Sequence, residues 1–177
     1  MPNDNHENKK IYSLSIPVQV DYDECLKKIY PDRLPPKDDL LKTIVIEIQA
    51  IIQPQSIFRL AWIESVEPEG VVIDRIRFES PLLPKTLHEI CLVLPYIITL
   101  GQKLDDKISA ADNLLEQFYI DQIGNLLLRK CGIYLESYLK NSYKIQQLSS
   151  ISPGSLTDWP IEEQKPLFSL FGDTQNL

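Results

Sequence analysis

Basic residues are scarce: 18 Lys and Arg stand against 25 Asp and Glu, for a formal net charge of −7 over 177 residues. That balance argues against a nonspecific grip on nucleic acid, which needs clustered Lys and Arg on the phosphate backbone. Histidine is scarcer still. His6 lies in a polar leader and His88 sits beside Glu89, so a lone His on a helix is read as a surface or packed residue rather than a general base. The three cysteines, Cys25, Cys91 and Cys131, are odd in number, far apart and never spaced as C-x-x-C. A disulfide framework and a zinc site are both excluded by that pattern, and three reduced thiols packed as small apolar groups are expected. A reducing compartment, the cytoplasm, follows. Neither G-x-G-x-x-G nor a Walker loop occurs, so no standard nucleotide phosphate site is expected. The most apolar stretch, Ile90 to Leu100, is too short for a membrane span and contains Pro95. The opening MPNDNHENKK is polar and is not expected to be a signal peptide.

What is present fits one domain with a proper core. Hydrophobic residues make up 44% of the chain, an ordinary share for a globular protein. One domain over residues 11–172 is expected, between short polar tails at 1–10 and 173–177. Ile11–Val20 alternates loosely and carries Pro17, which marks an edge or irregular strand. Asp21 is placed to cap a short helix, YDECLKKIY. Between Pro36 and Gln53, Leu40, Leu41, Ile44, Val45, Ile48, Ile51 and Ile52 recur at helical spacing. Ser56–Ser65 and Val71–Phe78 read as an antiparallel pair across the turn EPEG. A helix over Leu83–Leu94, a short buried strand over Tyr96–Leu100 and a long helix over Ala111–Lys140 follow. Gly124 and Gly132 inside that long helix suggest close approach of another backbone, or a kink. The mixture lacks βαβ alternation, so the class is α+β.

Two segments rise above this background. Ser152-Pro-Gly-Ser-Leu-Thr-Asp-Trp-Pro160 combines a forced turn with Asp158, placed to cap the last helix, which carries Glu162 and Glu163 in its first turn. Its bland reading is a well-made turn before a helix. The second segment is Thr99-Leu-Gly101, followed by Asp121-Gln-Ile-Gly124. There a strand end offers backbone groups to a ligand, or the glycine merely ends the strand.

In this order and spacing the fragments resemble the activation domain of cobalamin-dependent methionine synthase, above all its short stand-alone relatives. Those carry T-L-G, then D-A-I-G-S, then R-x-S-P-G-Y-G-D-W-P-L-E-x-Q. The corresponding residues are Thr99-Leu-Gly101, Asp121-Gln-Ile-Gly124-Asn125, and Ser152-Pro-Gly154 continuing to Asp158-Trp-Pro-Ile-Glu-Glu-Gln164. The resemblance covers about residues 11–172, and its C-terminal stretch is the most specific part. It implies a C-shaped α+β domain with a twisted antiparallel sheet flanked by helices, binding S-adenosylmethionine in a shallow groove. Such a domain docks over a cobalamin module and supplies a methyl donor by placement.

The ligand set implied by the resemblance is Ser150, Ser152, Pro153, Gly154, Ser155 and Asp158, with Arg129 from the long helix. Four departures fall on it. Ser150 stands where the relatives have the arginine that pairs with the ligand's carboxylate, and a hydroxyl does not replace a guanidinium fork. Ser155 stands in place of an aromatic ring. One extra residue separates Gly154 from Asp158. Arg129 reverses an acidic position. S-adenosylmethionine therefore stays open as a ligand, bound through the shape of the Ser152-Pro153-Gly154 turn and a substitute charge such as Arg129 or Arg59. The D-x-H-x-x-G cobalt-ligand signature is missing from this chain, so cobalamin is expected only on a partner. The implied role is accessory rather than catalytic alone: reactivation or docking of a separate corrinoid protein or methyltransferase, with no nucleic acid and no membrane. The alternative is a binding module that uses the groove for another small molecule or a protein.

Overall fold

The computed structural model describes residues 10–32, 39–155 and 157–172. Residues 1–9 of the tail expected at 1–10, the tail expected at 173–177, and the first residues of the helix expected from Pro36 lie outside them. The chain is α+β, with two antiparallel sheets and six helices among the described residues. In order these are β1 (Tyr12–Ser15), α1 (Tyr22–Ile29), α2 (Leu40–Ile51), β2 (Gln55–Phe58), β3 (Ala61–Glu67), β4 (Gly70–Ile73), β5 (Ile76–Glu79), α3 (Leu83–Leu87), β6 (Leu92–Val93), β7 (Tyr96–Thr99), α4 (Gln102–Ser109), α5 (Leu114–Tyr143) and α6 (Gln164–Ser169), the last preceded by a 3₁₀ turn at Ile161–Glu163. One sheet runs β1-β2-β7 and the other β5-β4-β3-β6. No helix among the described residues is long and apolar enough to cross a membrane.

The chain divides into two compact units. One takes Met1–Ser13, Ile57–Ile97 and Gln147–Leu177; the other takes Leu14–Ser56 and Ile98–Gln146. Each is assembled from separated stretches, so no composition break marks a boundary between them.

The second of these, the helical unit, is built on α5. Asn113 Oδ1 accepts the free N–H groups of Leu115 and Glu116 at 3.1 and 3.0 Å, which starts the helix. Lys144 ends it in the left-handed region at φ 54°, with Ile145 N–H donating to Lys140 O at 3.0 Å. Tyr119, Ile120, Ile123, Leu127 and Cys131 recur along one face and are buried. They pack with Leu41, Ile44, Val45 and Ile48 of α2, Leu104 of α4, and Cys25 of α1. Asp21 caps α1 as expected, its Oδ1 accepting Glu24 N–H at 2.8 Å. Gly124 is buried, and a Cβ there would sit 3.6 Å from Leu104 Cδ2, so what approaches it is a side chain rather than a backbone. At Gly132 a Cβ would meet nothing within 4 Å.

The first unit, the sheet unit, departs from the expectations more often. Val71–Phe78 is two strands, not one. β4 and β5 pair from Gly70↔Glu79 to Ile73↔Ile76, around a two-residue turn at Asp74 and Arg75 with φ of 46° and 69°. Those positive angles belong to a mirror-image hairpin turn that glycine or asparagine usually signals. Ser56–Ser65 is also split, with β2 ending at Phe58 and β3 starting at Ala61. The helix expected over Leu83–Leu94 stops at Leu87, because Leu92 and Val93 are taken as partners for Trp62 and Ala61 on the edge of β3. Tyr96–Thr99 is half-buried along its length rather than fully buried.

The cysteines divide two to one. Cys25 and Cys131 are buried and free, whereas Cys91 is exposed, against the expectation of three packed thiols. Burial pushes both buried thiols up to about 11; at Cys25 the carboxylates of Asp21 and Glu24 add to it. With their ordinary value at 9.0 in the unfolded chain, their contribution to stability is complete below pH 9 and declines as pH rises toward 11. A thiol reagent at neutral pH is expected to titrate one group in the folded protein and three in denaturant. More than one fast-reacting thiol under native conditions would refute this assignment.

Candidate functional site

Where β7 ends, the backbone turns sharply. Gly101 adopts φ 92°, and a Cβ there would lie 3.3 Å from Gln53 Cβ, so a side chain would be strained by the backbone and tight against Gln53. Gly101 N–H donates to Thr99 Oγ1 at 3.1 Å, and Gln53 N–H donates to Leu100 O at 2.8 Å. The turn leads straight into α4, which sequence reading had not separated from its surroundings. On α4, Ile108 lies one turn beyond the adjacent Leu104 and Asp105; on α5, Ile120, Asp121, Gly124, Asn125 and Leu128 form a single stripe. These two faces and the Thr99–Gly101 turn enclose an open-mouthed cavity of about 250 Å³.

The cavity joins the two weak sequence fragments. Thr99-Leu100-Gly101 and Asp121, Gly124 and Asn125 line the same space although about twenty residues separate them. Its walls are mainly Leu, Ile and glycine backbone, with Asp105, Asp121, Asn125 and Thr99 as polar groups. Neither Asp105 nor Asp121 makes a hydrogen bond or ion pair among the described residues. Glu47 and Glu116 of this unit are engaged. Lys107 Nζ lies 2.7 Å from Glu47 and 3.6 Å from Glu116, and the hydrogen bond with Glu47 raises its pKa above the usual lysine value. Asp105 was missed in the sequence because the Gln102–Ser109 helix was not recognised.

The other candidate segment lies in the sheet unit and closes on itself. Ser155 N–H donates to Ser152 O at 3.1 Å and Ser155 Oγ donates to the same oxygen at 2.6 Å. Pro153 and Gly154 occupy the middle of this turn, Gly154 at φ 81°, as a type II turn requires. A Cβ at Gly154 would sit 2.8 Å from Ile161 Cδ1, and Gly154 N–H donates to Trp159 O at 2.7 Å. Trp159 is packed in the core with Phe78, Leu83 and Phe171, and its Nε1 is the one buried side-chain N or O atom without a partner among the described residues. Asp158 does not cap the last helix: its side chain is exposed, and its backbone oxygen accepts from Ser80 Oγ at 2.6 Å. Pro160 leads the 3₁₀ turn instead, without a side-chain cap.

Of the residues singled out from the sequence, Ser150, Ser152, Gly154, Ser155 and Asp158 are exposed and Pro153 is buried. All belong to the sheet unit, whereas Arg129 is exposed on α5 of the helical unit and does not line the cavity. Arg59, considered as a substitute charge, is buried at 6% exposure. It pairs with Asp74 and donates from Nη1 to Leu170 O at 2.7 Å. Its charge is thus already engaged. His88 is exposed, with Nδ1 3.0 Å from Lys85 O. No group of three or more His, Cys, Asp or Glu able to hold a metal occurs among the described residues. No family model matches the chain, and no curated protein sequence matches it.

Proposed function

We propose that this protein is an accessory component of a corrinoid-dependent methyl-transfer system, acting in reactivation or docking of a separate cobalamin-bearing protein or methyltransferase in the cytoplasm. The reading rests on the resemblance to methionine synthase activation domains, with their C-shaped fold. The observation that best supports it is the convergence of Thr99-Leu100-Gly101 and Asp121…Asn125, two fragments of that resemblance, on one cavity. Cobalamin is supplied by the partner, and this chain contributes a surface and a placement. The turn around Gly154 does not fit S-adenosylmethionine well. Ser155 Oγ is spent on Ser152 O, Ser150 carries no charge, and Arg59 is committed to Asp74. The ligand's carboxylate has no guanidinium partner in that turn, so no methyl-transfer step is assigned to this chain.

Co-purification with corrinoid proteins is the direct test; failure to retain any cobalamin-bearing protein would count against the reading. Calorimetry tests the turn. The protein as it stands is expected to bind S-adenosylmethionine no tighter than millimolar, and Ser150→Arg with Ser155→Tyr is expected to tighten binding roughly ten- to hundredfold. Micromolar binding without those changes would refute the account of the missing anchor.

The second reading is a non-catalytic module that binds a different small molecule. It is favoured by a cavity whose carboxylates are unpaired among the described residues.

A further inference from the structure

The apolar stripe of α5 runs further along the helix than its buried part. Ile120, Ile123 and Leu127 are fully covered in the core of the helical unit. Tyr134 and Tyr138 continue that stripe at helical spacing, yet they are 37% and 38% exposed, and Ile133 is 59% exposed. This stretch does not stand on a bare helix. Lys130, Ile133, Tyr134 and Ser137 form one wall of an open groove of about 580 Å³, and the segment from Pro17 to Gln19 forms the other. The second wall is fixed at both ends. Ile16 is buried in the core, Val20 N–H donates to Gln49 Oε1 at 2.7 Å, and Lys130 Nζ donates to Gln19 O at 3.1 Å. The groove is therefore preformed, and filling it costs little ordering of its walls.

Charge selects the occupant. From Arg129 to Lys144 the chain carries four cations and one carboxylate, although its total is −7. Two of the cations are engaged, Lys130 with Glu24 and Lys140 with Glu136. Arg129, one turn before Ile133 on the same face, and Lys144, at the end of the helix, are exposed and have no side-chain partner among the described residues. A cationic strip repels its own copy, which disfavours a dimer through this surface. A concave floor of Ile133, Tyr134 and Val18 suits a single segment of chain rather than a flat bilayer. Carboxylates flanking an apolar stripe match both the floor and the rim.

We propose that the groove between Pro17–Gln19 and α5 docks an acidic amphipathic segment of a partner protein, with its apolar side chains on Ile133 and Tyr134 and its carboxylates toward Arg129 and Lys144. The assignment holds whether or not that partner carries a corrinoid, so its failure leaves the reading above to its own co-purification test.

The test uses the full-length protein labelled with ¹⁵N, at low ionic strength. The probe is a synthetic helical peptide with leucine on one face and glutamate and alanine elsewhere; its counterpart has lysine for glutamate. The glutamate peptide is expected to shift the Val18, Gln19, Ile133 and Tyr134 amide signals with a Kd below about a millimolar. The lysine peptide is expected to leave them unmoved. Arg129→Glu and Ile133→Ser are each expected to weaken the glutamate peptide about fivefold; both positions are exposed, and unchanged circular dichroism checks that the fold is retained. Equal binding of the two peptides would overturn the acidic class. Shifts confined to other amides, or none, would overturn the groove as the docking site. Dimerisation abolished by Ile133→Ser would assign the surface to a second copy, and the same shifts with phosphatidylserine vesicles but not with peptide would assign it to a lipid surface; either result overturns the proposal.

Discussion

Arg59→Ala is expected to destabilise the sheet unit by about 3–5 kcal/mol. Arg59 is 6% exposed; its guanidinium pairs with Asp74 and donates to the backbone oxygens of Leu170 at 2.7 Å and Leu60 at 3.3 Å. Truncation therefore strands a largely buried carboxylate and a buried carbonyl together, and each loses a charge-assisted partner. Asp74 is itself tied down, with Oδ1 accepting Trp62 N–H at 2.9 Å and its own N–H donating to Trp62 O at 3.0 Å. The pair thus fastens the β4–β5 turn and the end of α6 to the start of β3. Asp74→Asn keeps a side chain tolerant of positive φ and removes only the charge, so it is expected to cost less than Asp74→Ala. Both tryptophans, Trp62 and Trp159, belong to this unit, and their fluorescence during urea denaturation reports on it directly. A loss below about 1 kcal/mol for Arg59→Ala would mean that the guanidinium is solvated rather than holding the turn.

The same pair explains why the sheet unit was the harder to read from sequence. Arg59 lies inside a run of branched and aromatic residues that looks like one strand, and nothing local says that its charge is buried. Asp74-Arg75 carries neither glycine nor asparagine, the usual marks of a two-residue hairpin turn, so VVIDRIRF looks continuous. The Leu83–Leu94 helix failed for a related reason: Leu92 and Val93 are claimed by the edge of β3, a demand set far away in the chain. Tertiary pairing decided these segments, and pairing leaves little trace in local propensity.

The helical unit was more legible, because its elements declare themselves over short distances. Asp21 caps α1, the apolar stripe of α2 becomes its buried face, and the long apolar period of α5 survives for 30 residues. The cavity was half legible. Thr99-Leu100-Gly101 and Asp121…Gly124 were noticed as fragments, but their meeting depends on α4 folding back along α5, and on Leu104 packing at Gly124. The segment from Ser152 to Pro160 attracted more attention in the sequence, yet its donors are largely turned inward to close its own turn.

Ile48→Ala is expected to cost the helical unit about 2–5 kcal/mol, the usual toll for leaving a cavity in a well-packed core. Ile48 is 0% exposed on α2 and packs in the cluster that includes Ile44, Tyr119, Ile120 and Ile123. Two residues earlier on the same helix, Ile46 is 63% exposed, and Ile46→Ala is expected to stay within about 0.5 kcal/mol. The two substitutions remove the same atoms from the same helix and change helix propensity equally, so the difference between them isolates burial. Far-UV circular dichroism is the appropriate probe, because α5 and α2 lie in this unit and carry much of the helical signal, while tryptophan fluorescence reports on the other. Equal losses from Ile48→Ala and Ile46→Ala would place the wrong face of α2 against α5. The stripe along α5 that carries Asp121 and Gly124 would then lose its support, and the cavity built on that stripe would go with it.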